Sequence, residues 1–245
     1  MAESGTTVCL NLINATNSLK IRKFINGDER KYSIFPVNTS NTQSKLENFI
    51  TIGVGKDIDA ELHYKNETEK LPFHINTKFY GADPMFMDNY ELYSKIGLFF
   101  PLAISGSDGY INADVLMDNR YQSYDVFHIE FIYYLKNILK ISTIDNLWMD
   151  SENAEYELLQ YFYKNGELDD AGITICQINM EVHSFKIRNK TKQDERLDKF
   201  KMFFWHIVND QRYAILNHDV GVHHRLYLFN YADKYCVEKY LGYSL

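Results

Sequence analysis

Phe49-Ile50-Thr51-Ile52-Gly53-Val54-Gly55-Lys56-Asp57-Ile58-Asp59 runs from one apolar stretch through two glycines into the start of another. β-branched and aromatic residues dominate Phe49 to Val54, so it reads as a strand, and Ile58 to Tyr64 reads as the next. Between them, Gly53-Val54-Gly55-Lys56 invites comparison with a phosphate-binding loop. That loop needs GxxxxGK[ST], with wide spacing between its glycines. Here a single residue separates them and Asp57 follows Lys56, so the segment reads as a β-turn or bulge. Asp57 and Asp59 would share a strand face and present oxygens to a divalent ion. A solvated strand face explains the pair without an ion.

Upstream, Asn26-Gly27 between Ile21–Ile25 and Lys31–Val37 is a hairpin signal. Before it, Val8, Leu12, Ala15 and Leu19 recur at the helical period, which predicts a short amphipathic helix over Thr7–Lys20. That helix either packs on its own domain or projects as an arm into a neighbouring subunit. Downstream, Leu71–Ile75, Ile96–Ile104 and Tyr110–Leu116 read as strands. Pro101 marks the middle one for a bulge or a sheet edge. The second half brings helices over Ser123–Lys140 and Ser151–Lys164, a third opened by the capping-box-like Thr191-Lys192-Gln193-Asp194, and a short one near Asp233–Leu241. Ile173–Ile187 alternates with two slips of phase, as a long bulged strand does. Tyr213–Leu216 and Val222–Phe229 complete the strands. No repeat or linker divides the chain. The expectation is an arm over residues 1–20 and one α+β domain over residues 21–245, β-rich in its first half and packed with several helices.

A net charge of −7 without a clustered basic face argues against nucleic acid as a partner. The apolar run around Phe127–Ile141 is too short and too polar to span a bilayer, so no membrane partner is expected. Cys9, Cys176 and Cys236 are an odd, sparse set without CxxC spacing. They do not read as a disulfide framework, which points to a reducing compartment. The 19 tyrosines and 16 phenylalanines against 2 tryptophans are unusual, and tyrosine is favoured at protein interfaces.

The most suggestive cluster is His218-Asp219-Val220-Gly221-Val222-His223-His224. His218 and His223 could meet across a hairpin at Gly221, with Asp219 beside them, as weak candidates for a metal. His223 and His224 point to opposite faces of a strand, so one of them joins His218. Three ligands fall short of a structural zinc site, and surface histidines on a hairpin are the plainer reading. Ser105-Gly106-Ser107-Asp108-Gly109 departs from the GxSxG nucleophile elbow and reads as a tight turn. No residue is assigned a catalytic or cofactor-binding role. Phe203-Phe204-Trp205-His206 lies on a predicted helix, and an exposed Trp205 would suggest an assembly contact. Tyr227, Tyr231, Tyr235, Tyr240 and Tyr243 crowd the C-terminal end. Candidate assembly contacts are therefore Val8, Leu12, Leu19, Trp205, Tyr231, Tyr235, Tyr240 and Tyr243.

The opening Met1-Ala2-Glu3…Gly5-Thr6, the helical arm, the abundance of Tyr and Asn, and the order of strands before helices together resemble the cypovirus polyhedrins. The resemblance covers the whole chain as a profile and no segment as a specific motif. It implies a sandwich-like β core with helices, and trimers packed into a lattice around virus particles. It also implies an occlusion body in the cytoplasm of an infected cell that dissolves in alkali, and a structural role rather than an enzymatic one. The residues imply no cofactor, whereas the resemblance allows a bound nucleotide. Two other readings stand beside it. One is an acidic intracellular binding or inhibitor protein of the immunity type, whose charge suits a basic partner. The other is a hydrolase or transferase with a pocket around His218, His223 and Asp219.

Overall fold

The computed structural model describes residues 19–27, 29–37, 46–73, 75–117, 120–184 and 190–242. Strands β1 (Ile21–Asn26) and β2 (Glu29–Ile34) form the antiparallel hairpin that Asn26-Gly27 predicts. Then follow β3 (Leu46–Ile52), α1 (Asp59–Glu69), β4 (Asn76–Ala82), α2 (Phe86–Tyr93) and β5 (Leu98–Phe100). A small sheet takes β6 (Ala103–Ser105), β7 (Gly109–Met117) and β8 (Arg120–Glu130). Next come α3 (Phe131–Tyr133), which continues as a π-helical stretch over Tyr134–Leu139, and β9 (Thr143–Met149). After it stand α4 (Glu155–Leu158), α5 (Glu167–Asp170), β10 (Thr174–Val182) and α6 (Lys190–Asn209). The hairpin of β11 (Tyr213–Val220) and β12 (His224–Asn230) precedes α7 (Lys234–Leu241).

The mixed helix-and-strand class stands, and its arrangement centres on one large sheet. Seven strands align in the order β5-β4-β3-β9-β10-β12-β11. From β5 to β10 the pairs are parallel, and β12 runs antiparallel to both β10 and β11. β3, β9 and β10 are buried almost end to end, as central parallel strands covered on both faces must be. Alternation sorts their side chains: Phe49 and Trp148 join the aromatic cluster with Phe24, Tyr64 and Phe79 on one face. Ile50, Ile52, Leu147 and Met149 join Phe131, Leu158, Phe162 and Phe203 on the other. From β3 the chain moves outward through β4 to β5, then returns to lay β9 on the far side of β3. The order reverses between β3 and β9, and there the strand ends open a crevice. No helix among the described residues is long and apolar enough to cross a membrane.

Several local expectations change. Ile58–Tyr64 is the start of helix α1, not a strand. Its buried positions Ala60, Glu61, Tyr64 and Thr68 have helical spacing, but the polar Glu61 on that face hides the pattern. Asp57 and Asp59 therefore share no strand face; Asp57 Oδ1 accepts the Asp59 N–H at 2.9 Å at the helix start. Residues 123–130 of the predicted helix Ser123–Lys140 belong to β8, and the helix begins only where Glu130 caps the Ile132 and Tyr133 N–H groups. Pro101 splits Ile96–Ile104 into β5, at the sheet edge, and β6 in the small sheet. The first phase slip of Ile173–Ile187 reflects burial on both faces of β10, and the second, at Phe185 and Ile187, lies outside the described residues. Cys176 on β10 and Cys236 on α7 form a disulfide with Cα atoms 5.2 Å apart. This corrects the reading of unpaired cysteines and removes the support for a reducing compartment. The helix over Thr7–Lys20, with Val8 and Leu12, lies outside the described residues except for Leu19 and Lys20. Tyr243 also lies outside.

Candidate functional site

The loop after β3 is built by its glycines. Gly53 has φ +80°, and a Cβ there would lie 1.7 Å from the Asp150 carbonyl oxygen. Only glycine lets β3 end this close to β9. Gly55 has φ +62° and its face is open, with nothing within 4 Å of an added Cβ. Neighbouring strand ends are tied together: the Gly53 N–H donates to the Ala82 carbonyl at 2.9 Å and the Asp150 N–H to the Ile52 carbonyl at 2.8 Å.

Asp83, just past β4, holds the loop in shape. Its Oδ2 accepts the N–H groups of Val54 at 2.9 Å and Gly55 at 3.2 Å, while Oδ1 accepts that of Met85 at 2.7 Å. Burial holds this carboxyl above the usual range, against the lowering effect of those hydrogen bonds. Asn89 of α2 accepts the Lys56 N–H at 2.8 Å, and Lys56 Nζ pairs with Asp88 at 2.6 Å. Together these residues floor a cleft whose walls include Ile52, Ala82, Leu102, Ile104, Asp150 and Glu152. It holds about 730 Å³ of space free of atoms, counting its open mouth.

The opposite rim is acidic. Asp150 follows β9, and burial and the charges of Glu29, Glu181 and Glu152 hold its carboxyl well above its ordinary value. His183 follows β10. Its Nδ1 lies 3.1 Å from Glu155 Oε1, and its Nε2 lies 3.2 Å from Glu152 Oε2 and 3.6 Å from Asp150 Oδ1. Burial alone would lower the imidazole pKa, but the hydrogen bonds to Glu152 and Glu155 and the carboxylate charges push it up to about 11. Glu152 (φ 47°) and Asn153 (φ 80°) are successive non-glycine residues in the left-handed region. Such backbone costs on the order of 1–3 kcal/mol per residue and clusters at functional sites.

The residues singled out in the sequence fall elsewhere. His218 Nε2 meets His224 Nδ1 at 3.1 Å, so His224, not His223, is its partner across the hairpin. Burial lowers the pKa of both. Asp219 turns to the Tyr32 hydroxyl, 3.4 Å away. His223 instead faces Glu181 and His183. Trp205 is 57% exposed on α6. Leu19 and Tyr231 pack on the cluster around Tyr227 and Phe229. The hydroxyls of Tyr235 and Tyr240 lie 3.0 Å from Asp145 Oδ1, inside the chain. Sequence reasoning missed Asp83, Asp150, Glu152, Glu155 and His183. A signal for the first was present: a strand, a glycine turn and a helix, then an acidic residue closing the next strand.

The model of the methyltransferase FkbM domain matches residues 12–235. An uncharacterized protein of Caenorhabditis elegans is 25% identical over 200 residues, which make up 81% of this chain and 59% of that relative. The chain thus spans under two thirds of the length of the curated relative it matches. These matches overturn the polyhedrin resemblance, and with it the viral matrix protein, its non-enzymatic role and its occlusion body in an infected cell. Many of the tyrosines fill the core, with Tyr64, Tyr93, Tyr134, Tyr227 and Tyr240 each at most 1% exposed. With a family model covering most of its length and a glycine loop and carboxylate facing one cleft, the chain belongs to the FkbM methyltransferase domain family.

Proposed function

We propose that this chain transfers a methyl group from S-adenosylmethionine to a polar small molecule, with the donor in the cleft at the ends of β3, β4 and β9. The observation that carries this reading is Asp83, a carboxylate closing β4 beside the glycine loop, next to the point where strand order reverses. Doubly wound sheets hold nucleosides in this crevice, with an acidic residue for the ribose hydroxyls. The backbone N–H groups of Val54, Gly55 and Met85 and the Asn89 side chain all hydrogen-bond to this carboxylate, which fixes it beside the glycine loop.

The residues fit such a donor. The open face of Gly55 lets a ligand approach the backbone. Ile52, Ala82, Leu102 and Ile104 give apolar surface for a purine ring, with the polar side chains of Asp150 and Glu152 opposite. When bound, the donor supplies an electrophilic methyl group on a sulfonium sulfur.

Calorimetric titration of the full chain with S-adenosylmethionine and S-adenosylhomocysteine tests the reading. One-to-one binding is expected, weakened at least about tenfold in Asp83→Ala by loss of a charge-assisted hydrogen bond and less in Asp83→Asn. Absence of binding by the folded wild-type chain at about 1 mM, near −4 kcal/mol, would sink it.

A further inference from the structure

We propose that Asp150, Glu152 and His183 form a divalent-cation site on the rim of the cleft. Each offers one ligand atom, and the three atoms lie within 4.8 Å of one another. Asp150 and Glu152 line the cleft itself. The separation of 3.6 Å between His183 Nε2 and Asp150 Oδ1 is too long for a hydrogen bond. Together with the 3.2 Å to Glu152 Oε2, it matches ligands sharing one ion. Metal–ligand bonds of about 2.0–2.2 Å put neighbouring ligands roughly 3–3.6 Å apart.

Two further observations point to an ion. Asp150 Oδ1 is buried and has no hydrogen-bond partner, which is costly for a carboxylate oxygen. The Glu155 carboxylate, fully buried, stands behind His183: Oε1 lies 3.1 Å from Nδ1 and accepts the His183 backbone N–H at 2.8 Å. A carboxylate behind the far nitrogen of a histidine is the usual support of a metal ligand. It keeps the proton on Nδ1 and the lone pair of Nε2 toward the ion. Nearby Glu29 and Glu181 have cations of their own, Lys31 at 2.9 Å and Arg225 at 2.6 Å. One imidazole and two carboxylates suit Mn²⁺ or Zn²⁺.

Binding of the ion stands apart from methyl transfer, but its role rests on that reading. A cation here would hold an acceptor hydroxyl oxygen and lower its pKa, which makes the acceptor an alcohol or a diol.

Equilibrium dialysis of the chelator-stripped full chain against Mn²⁺, Zn²⁺ and Mg²⁺, without donor, tests the site. One Mn²⁺ or Zn²⁺ per chain is expected. Affinity should fall at least about tenfold in His183→Ala and Glu152→Gln, and by about 10–100-fold in Glu155→Gln, which removes only the supporting carboxylate. His218→Ala, in the other histidine pair, should bind like wild type. Glu152 is 34% exposed, so its Gln variant keeps the test valid if His183→Ala fails to fold. No ion bound at about 1 mM, or wild-type affinity in both His183→Ala and Glu152→Gln, overturns the proposal. Donor titration in chelator separates the two readings: ion binding without donor binding keeps this site and sinks methyl transfer, and the reverse result sinks this site alone.

Discussion

Both ends of the large sheet bury carboxylates between the same strands, yet they settle them differently. At the amino ends of β3 and β9, Lys239 Nζ lies 2.6 Å from Asp145 Oδ1 and donates to the Leu46 carbonyl at 2.8 Å. Tyr240 and Tyr64 hydroxyls lie 2.9 and 3.0 Å from the two oxygens of Glu47. Burial raises the Glu47 carboxyl while Lys239 and the tyrosines pull it down, and its net shift is upward. Burial would lower Lys239, but Asp145 and Glu47 raise it. At the carboxyl ends, Asp150 faces other carboxylates and the His183 imidazole, and its Oδ1 has no hydrogen-bond partner. The closed network gives rigidity and the open one has affinity left for a ligand.

Breaking the closed end should cost most. Lys239→Met leaves Asp145 and Glu47 buried without their cation, and a loss of about 3–5 kcal/mol in urea unfolding at pH 7 is expected. Replacing Cys176 and Cys236 by serine releases α7, which carries Lys239 and Tyr240. Closure of a 60-residue separation corresponds to about 4 kcal/mol in the chain-entropy description. Alkali attacks the buried tyrosines. Burial raises Tyr64, Tyr93, Tyr227 and Tyr240 well above the ordinary phenol value. The unfolded chain ionises near pH 10 while the folded chain stays neutral. Stability is thus full below about pH 10 and falls by roughly 1.4 kcal/mol per pH unit for each such tyrosine above it. Tyr240→Phe should flatten the decline between about pH 10 and 11.5 by one such share; an unchanged slope would show that Tyr240 takes no part.

The cleft end should respond more mildly. Gly55→Ala meets open space but must adopt φ +62°, so a loss of about 1 kcal/mol in thermal unfolding is expected. Glu152→Gln relieves repulsion with Asp150 but weakens the pairing with His183, and the two effects oppose each other. A change within about 0.5 kcal/mol is expected, and a large loss would mean that the rim, too, is part of the stabilising framework.

What the sequence made legible follows from where each signal resides. Phe49–Val54 and the Asn26-Gly27 hairpin announce themselves because strand composition and turn chemistry are local. Helix α1 did not, because Glu61 occupies a buried position where the pattern demands an apolar residue. Thr51 and Asn26, brought up from elsewhere in the chain, satisfy its carboxylate. The acidic rim was invisible for a stronger reason. Asp150 and His183 end different strands, and only the parallel pairing of β9 with β10 brings them together. The histidine-rich hairpin drew attention through proximity in sequence, yet it sends His218 and His223 to different neighbours.

Lys239 also has a consequence for the order of events in synthesis. Glu47 and Asp145 emerge from the ribosome long before the lysine that neutralises them, and the Val37 N–H waits for the carbonyl of that same residue. A nascent chain ending short of α7 carries two carboxylates at the foot of its central strands with no counter-charge from that helix. Domains fold as units, so the sheet cannot settle early around its first half. Completion comes as a late, cooperative step, and ribosome-stalled chains ending just before Lys234 should remain sensitive to protease.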